Sequence, residues 1–332
     1  MRPTLCLVLL VMASPLVGCV EPAATQAPQD SAGDDVSTRI LLLGDTGTGG
    51  DDQYRVASAA ARVCAARGCD FAMVMGDLVY EQGVSSPDDV QFESKFEEPF
   101  AELNMTFYMT LGNHDNSGGP DNGVGSQSQN GDHMVRYHYR DDRVSDRWYL
   151  PDRYYNVRIG PVELFSLDTN TIAMEGAVLG NGTDVGLARQ TAWLQESLEA
   201  SDAPWKLVFG HHPYITNGAH DDAGNFDGTP GLGASLKALI EDVVCPQADF
   251  YIAGHDHDLQ WLESPAACRQ TNLIISGAGA KTRPLADPER HPAHFQQGDT
   301  LGFAWLEVAA DGFTLTYYDG DAAVLHEATV GR

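Results

Sequence analysis

Asp, Asn, His and Tyr side chains stand beside glycine at five points in this chain. GDTG carries Asp45, GDLVY carries Asp77 and Tyr80, GNHD carries Asn113 and His114, VFGH carries His211, and GHDH carries His255 and His257. Carboxylate, imidazole, amide and phenol groups are the donors that hold divalent and trivalent cations. Taken alone, GNHD reads as a turn, because Asn and Gly tolerate left-handed backbone and close strands. Five endings of this kind, all with metal-ligand side chains, are hard to attribute to turns.

The surrounding elements show how such residues could meet. RILLLGD and FAMVMGD read as buried strands ending at Asp45 and Asp77, joined by the Ala-rich helix YRVASAAARVCAARG, which Gly68 closes. MTFYMTLGNHD repeats the pattern. VELFSLDT reads as a strand, ARQTAWLQESLEAS as a helix, and WKLVFGHH as a strand reaching His211. GASLKALIEDVVC is a further helix, and ADFYIAGHDH a strand reaching His255 and His257. The tail from TNLIISGAG onward is mostly strands, with no internal repeat and no domain break after Thr38. In α/β sheets, functional groups gather just beyond the carboxyl ends of strands. Glycine there lets the backbone approach a shared centre without a Cβ clash.

This ordered set closely resembles the metallophosphoesterase superfamily and, within it, the purple acid phosphatases. RWYLPDRYYNVRI, LVFGHHPYITNGAH, GHDHDLQWLE, LIISGAGA and GFAWLEV look like the small, single-domain tartrate-resistant type, and the likeness runs from about Arg39 to the end. The resemblance implies a calcineurin-like α/β fold: a four-layer α-β-β-α sandwich of two mixed sheets with helices outside. It also implies a binuclear centre. Asp45, Asp77, Tyr80 and His257 form a hard, anionic set suited to Fe(III). Asp77, Asn113, His211 and His255 form a less charged set suited to Fe(II), Zn or Mn, with Asp77 bridging. Two such ions roughly 3.5–4 Å apart can clamp a phosphoryl group and activate water.

Most metallophosphoesterases begin with an Asp-x-His pair, but here Gly47 stands two residues after Asp45. Tyr80 takes the place of the missing imidazole, and its phenolate would favour Fe(III) and give a charge-transfer colour. His114 and His220 match family positions that face the substrate, where they bind phosphate and protonate the leaving alkoxide. His212 is either a supporting donor or a packing residue. His133, His138, His291 and His294 are expected on the surface or in loops. Asp115, Asp256 and Asp168 are also candidates by position; Asp256 is expected in a structural hydrogen bond, and Asp168 as loop support rather than a ligand. The chain departs from the small phosphatase pattern in the Gly- and Ser-rich insertion between Asn116 and Asp132.

Composition sets further bounds. With 332 residues, 43% of them hydrophobic, the chain can bury a large core. A formal charge of −27 repels phosphate backbones and argues against nucleic-acid binding. It would repel small phosphate esters too, so a phosphate site needs local positive charge, which a metal cluster can supply. Arg2 followed by LCLVLLVMASPLV reads as an export signal, and LVGC resembles a bacterial lipobox ending at Cys19. Residues 1–18 are therefore expected as a lipoprotein-type signal peptide, 19–38 as a lipidated Cys and flexible acidic linker, and 39–332 as the catalytic domain. A simple cleaved signal is the alternative. For the remaining cysteines, Cys64–Cys69 with Cys245–Cys268 is the most local of three connectivities, and a Cys-based zinc site is the weaker reading.

The expected protein is an exported monomer, lipid-anchored at the bacterial cell envelope or secreted. It would hydrolyse small phosphomonoesters at acidic pH by direct attack of metal-bound hydroxide. Two rivals accompany this reading: a phosphodiesterase or nucleotide pyrophosphatase on the same scaffold, and a surface-anchored binding lipoprotein with a structural metal site.

Overall fold

Two seven-stranded sheets organise this computed structural model, which describes residues 37–118, 123, 125–126, 128–173 and 184–332. The first sheet begins with β1 (Thr38–Leu43), β2 (Phe71–Met75), β3 (Phe107–Thr110) and β4 (Trp148–Tyr149). The second holds β5 (Tyr155–Ile159), β6 (Val162–Ser166), β7 (Trp205–Phe209) and β8 (Phe250–Ala253). It is completed by β9 (Leu259–Leu262), β10 (Asn272–Ser276) and β11 (Ala293–Gln297). The chain then returns to the first sheet as β12 (Gly302–Ala309), β13 (Gly312–Asp319) and β14 (Val324–Gly331). Strand orders are β14-β13-β12-β1-β2-β3-β4 and β11-β9-β10-β8-β7-β6-β5.

β1 to β4 run parallel, as do β6, β7, β8 and β10, so their carboxyl ends lie at one edge of each sheet. The runs TRILLL and FAMVM lack polar alternation because parallel strands are covered on both faces. One apolar core joins the sheets, with Leu42, Met73, Met109, Leu164, Phe209, Ile274 and Trp305 all within it. Each such side chain contributes about 1.5–3 kcal/mol by leaving water. A second core lies between β6–β8 and the helices α3 (Thr169–Ala173), α4 (Asp184–Ala200) and α5 (Ala234–Leu239).

On the first sheet's side, α1 (Asp51–Arg67) carries Asp51 and Asp52 in its first turn and Arg67 in its last, complementing the helix dipole. Gly68, at φ +83°, closes it by donating to Cys64 O, and the Cys64–Cys69 disulfide staples the same turn. The second disulfide joins Cys245 to Cys268. β1 starts at Thr38, one residue before the boundary expected from composition, and Ser37 Oγ donates to Glu307 at 2.6 Å. The expected signal segment, Cys19 and nearly all of the linker lie outside the described residues.

The end of the Gly- and Ser-rich insertion is not loop: α2 (Ser128–His138) begins inside it. Gly131 on this helix lies against Asn116, where a Cβ would come within 2.5 Å of Oδ1. Arg153 fastens the helix from outside, donating to Asp132 at 2.8 Å.

Candidate metal centre

Each strand end delivers its donors through a glycine. Asp45 follows β1 and Gly44, Asp77 follows β2 and Gly76, and Asn113 follows β3, Leu111 and Gly112. His211 follows β7 and Gly210, while His255 follows β8 and Gly254. A Cβ on Gly112 would sit 2.2 Å from Asp77 Oδ1, so only glycine admits the Asp77 carboxylate there. Asp45, Asp77 and His255 themselves hold left-handed backbone, at φ 57°, 52° and 70°. Such geometry costs of order 1–3 kcal/mol per residue and concentrates at functional sites.

The side chains converge. His211 Nε2 lies 2.7 Å from Asn113 Oδ1, and His255 Nδ1 lies 3.1 Å from both. His211 Nε2 is also 3.5 Å from Asp77 Oδ1. On the other side, the Tyr80 hydroxyl donates to Asp45 Oδ1 at 2.9 Å and lies 3.1 Å from His257 Nε2. One oxygen or nitrogen from each of Asp45, Asp77 and His211 lies within 4.8 Å of the others, all three residues buried. His114 is adjacent, its backbone N–H on Asp77 Oδ1 at 3.0 Å and its ring 4.5 Å from that of Tyr80. The His220 ring lies against that of His255, tilted by 36° with ring centroids 4.2 Å apart.

These contacts orient lone pairs inward. His211 donates Nδ1–H to Met75 O at 2.7 Å, leaving Nε2 free as a ligand. Asn113 donates Nδ2–H to Gly123 O at 2.6 Å, which turns Oδ1 towards the two imidazoles. Among the described residues no Lys or Arg pairs with the buried Asp45 or Asp77 carboxylates. Burial, then the charge of Asp77, pushes the Asp45 carboxyl well above its ordinary range. Burial and the same two carboxylates push the Tyr80 phenol well up. Burial holds the imidazoles neutral, taking His257 down to about 3 with Arg283 assisting. Neutral imidazole nitrogens and unpaired carboxylates aimed at one point lack a positive charge, and the donor set fits a pair of cations.

The remaining expected residues fall beside the centre or away from it. His212 is buried, with Nδ1 3.0 Å from Thr169 Oγ1, and its ring faces His211 and His255. Asp256 accepts from His220 N–H at 3.0 Å, and Asp168 pairs with Arg153 at 2.8 Å. His133 and His138 are part-buried on α2, and His294 is exposed on β11, in keeping with the surface expectation for His294. His138 bonds Trp148 O, and His291 pairs with Asp222, so both are tied into the fold.

Sequence reading missed several residues of the open side. A cavity of about 500 Å³ stands over the centre, walled by Phe226 and Leu232 on one part and by Lys281 and Arg283 on another. Asp227 orients His220, 2.7 Å from its Nδ1. Asp115, which the sequence did single out, lies away from the open side, buried under the GNHD turn, where it accepts Gly112 N–H at 2.8 Å and Val79 N–H at 3.0 Å. Two basic residues directly after the GAGA strand end were the available signal.

Comparison with known proteins agrees with this geometry. Residues 38–259 match the calcineurin-like phosphoesterase family. Tartrate-resistant acid phosphatase type 5 of Rattus norvegicus is 27% identical, over 96% of this chain and 94% of its own length. Purple acid phosphatase 7 of Arabidopsis thaliana is 28% identical, over 90% and 87%. Among solved structures, GAP50 of Plasmodium superposes with a TM-score of 0.70 at 17% identity, covering 89% of each chain. The purple acid phosphatase PPD1 of yellow lupin gives 0.66 at 14% identity, covering 90% of this chain and 54% of that one. By the span of that match the chain belongs to the calcineurin-like phosphoesterase family, and within it the chain is similar to the tartrate-resistant and purple acid phosphatases.

Proposed function

We propose that this chain is an exported acid phosphatase that hydrolyses small phosphomonoesters with a binuclear Fe(III)–M(II) centre, M being Fe, Zn or Mn. One observation carries the reading: anionic and neutral donors from five strand ends meet, and among the described residues no Lys or Arg pairs with the Asp45 and Asp77 carboxylates. Asp45, Tyr80 and His257 would hold the trivalent ion, Asn113, His211 and His255 the divalent one, and Asp77 both. When bound, such a pair supplies Lewis-acid polarisation of the phosphoryl group and lowers the pKa of water.

The chain's own groups do the rest. His220 has Nδ1 fixed by Asp227, so its Nε2, which Arg283 contacts in this structure, is the nitrogen that would face the leaving oxygen. His114 is anchored through Nδ1, 2.7 Å from Glu81 O, and lines the same cavity. A histidine placed this way contributes roughly 10²–10⁴-fold by proton transfer. Phe226 and Leu232 give the same cavity an apolar part of its wall.

The fold alone does not choose the activity, since the Plasmodium relative is described as an anchor in the inner membrane complex. Two disulfides support an oxidising compartment and hence export, and the lipobox-like LVGC supports an anchor at Cys19. A monomer is expected from the single-domain resemblance. Turnover of a chromogenic phosphomonoester and its diester, followed across pH, tests the function. Monoester turnover peaking below neutral pH supports it; preference for the diester would make the protein a phosphodiesterase, and turnover of neither would favour a binding protein.

A further inference from the structure

Two cations at the cavity mouth have no part in the phosphoryl chemistry described above. Lys281 and Arg283 follow β10, and both line the cavity. Lys281 Nζ is 2.7 Å from Glu81 Oε1 and 3.7 Å from the centre of the Tyr80 ring. Arg283 makes no ion pair with a carboxylate among the described residues; its NH1 donates instead to His220 Nε2 at 2.5 Å. In a chain of charge −27, an arginine turned towards imidazoles rather than carboxylates is displaying its charge to the cavity.

The base of this side chain is fixed. Arg283 N–H donates to His257 O at 2.9 Å, and Arg283 O accepts from Asp299 N–H at 2.8 Å. With its backbone fixed and one nitrogen on His220, the guanidinium presents a planar fork matched to an oxyanion. The cavity, at about 500 Å³, is sized for a whole small molecule rather than a phosphoryl group alone. Phe226 and Leu232 offer an apolar wall for its carbon skeleton, with the cations nearby.

We propose that Arg283, flanked by Lys281, is an oxyanion subsite for the leaving group. The preferred substrates are phosphomonoesters whose alcohol carries a second anionic group, a carboxylate or a phosphate. This rests on the phosphomonoesterase reading. Binding of that group draws the guanidinium off His220 Nε2, so the same contact that selects the substrate exposes the nitrogen nearest the leaving oxygen.

The test compares phenyl phosphate with 4-carboxyphenyl phosphate on the metal-loaded enzyme and its Arg283→Ala and Arg283→Lys variants. Intrinsic reactivity cancels when the ratio of the two kcat/KM values is compared between variants. One hydrogen-bonded charge sets the scale, so Arg283→Ala should lower the carboxylated-to-plain ratio roughly 10- to 100-fold. Arg283→Lys should restore part of it. Calorimetric titration with phenylphosphonate and 4-carboxyphenylphosphonate gives a readout without turnover and should show the same loss in relative Kd. Equal loss on both esters, with the ratio unchanged, would overturn the subsite and leave the phosphatase reading intact. Turnover of neither ester by the wild type would overturn both.

Discussion

His211 offers a nitrogen 2.7 Å from Asn113 Oδ1 and 3.5 Å from Asp77 Oδ1, at the heart of the donor cluster. Removing a Lewis-acid contact worth several kcal/mol costs several decades of rate, so His211→Ala should lower kcat/KM about a thousandfold or more. Far-UV circular dichroism should be unchanged; a variant that keeps its activity would remove His211 from the centre. His220→Asn should lower kcat by roughly 10²–10⁴ through lost proton transfer. Steady-state kinetics showing only a raised KM would make His220 a binding group instead. For Tyr80, the phenol is pushed well up by burial and by Asp45 and Asp77, so only a strongly acidic cation would make it a phenolate. Tyr80→Phe should therefore abolish visible absorption in the iron-loaded protein, and a band that survives would assign the colour elsewhere. These donors were legible because each follows an unbroken apolar run and a glycine. Arg283 was not, since a basic residue in an exposed loop reads as solvated surface until the backbone bond to His257 places it.

The strand ends hold the donors, and what holds the strand ends is partly invisible in sequence. Arg153 joins Asp168 beyond β6, Asn116 beyond β3 and Asp132 on α2, tying both sheets' functional edges to one guanidinium. Asp168 is nearly fully buried, so Arg153→Met leaves an uncompensated carboxylate and should cost about 3–5 kcal/mol. A urea midpoint lowered by less than the equivalent of about 1 kcal/mol, the scale of a surface pair, would make this one ornamental. The alternation of strands and helices was readable from apolar periodicity and from Gly68 closing α1. α2 was not, because Gly131 and Asn130 weaken its intrinsic propensity. Its stability comes from contacts distant in sequence, with Arg153, with Asn116 and between Asn130 and the Ser117 carbonyl. The inward turn of Asn113 likewise depends on Gly123, a residue inside the insertion whose composition carried no sign of that contact.

At the scale of the molecule, a charge of −27 surrounds a site built to receive anions. The structure reconciles the two by gathering Lys281 and Arg283 at the mouth and a cation-demanding donor set beneath them. The Cys245–Cys268 bridge closes a separation of 23 residues between the end of the α5 segment and β10, and its reduction should cost about 3 kcal/mol. A denaturation midpoint unmoved by reductant would contradict that. Filling the centre should also raise the melting temperature, because ions that bind only the folded chain stabilise it by mass action. The proposed chemistry depends on that centre, so elemental analysis of the purified protein is its most direct test. Two metal ions per chain, one of them iron, with both lost on Asp77→Asn, is the predicted result. A single ion, or two ions that survive that substitution, would contradict it.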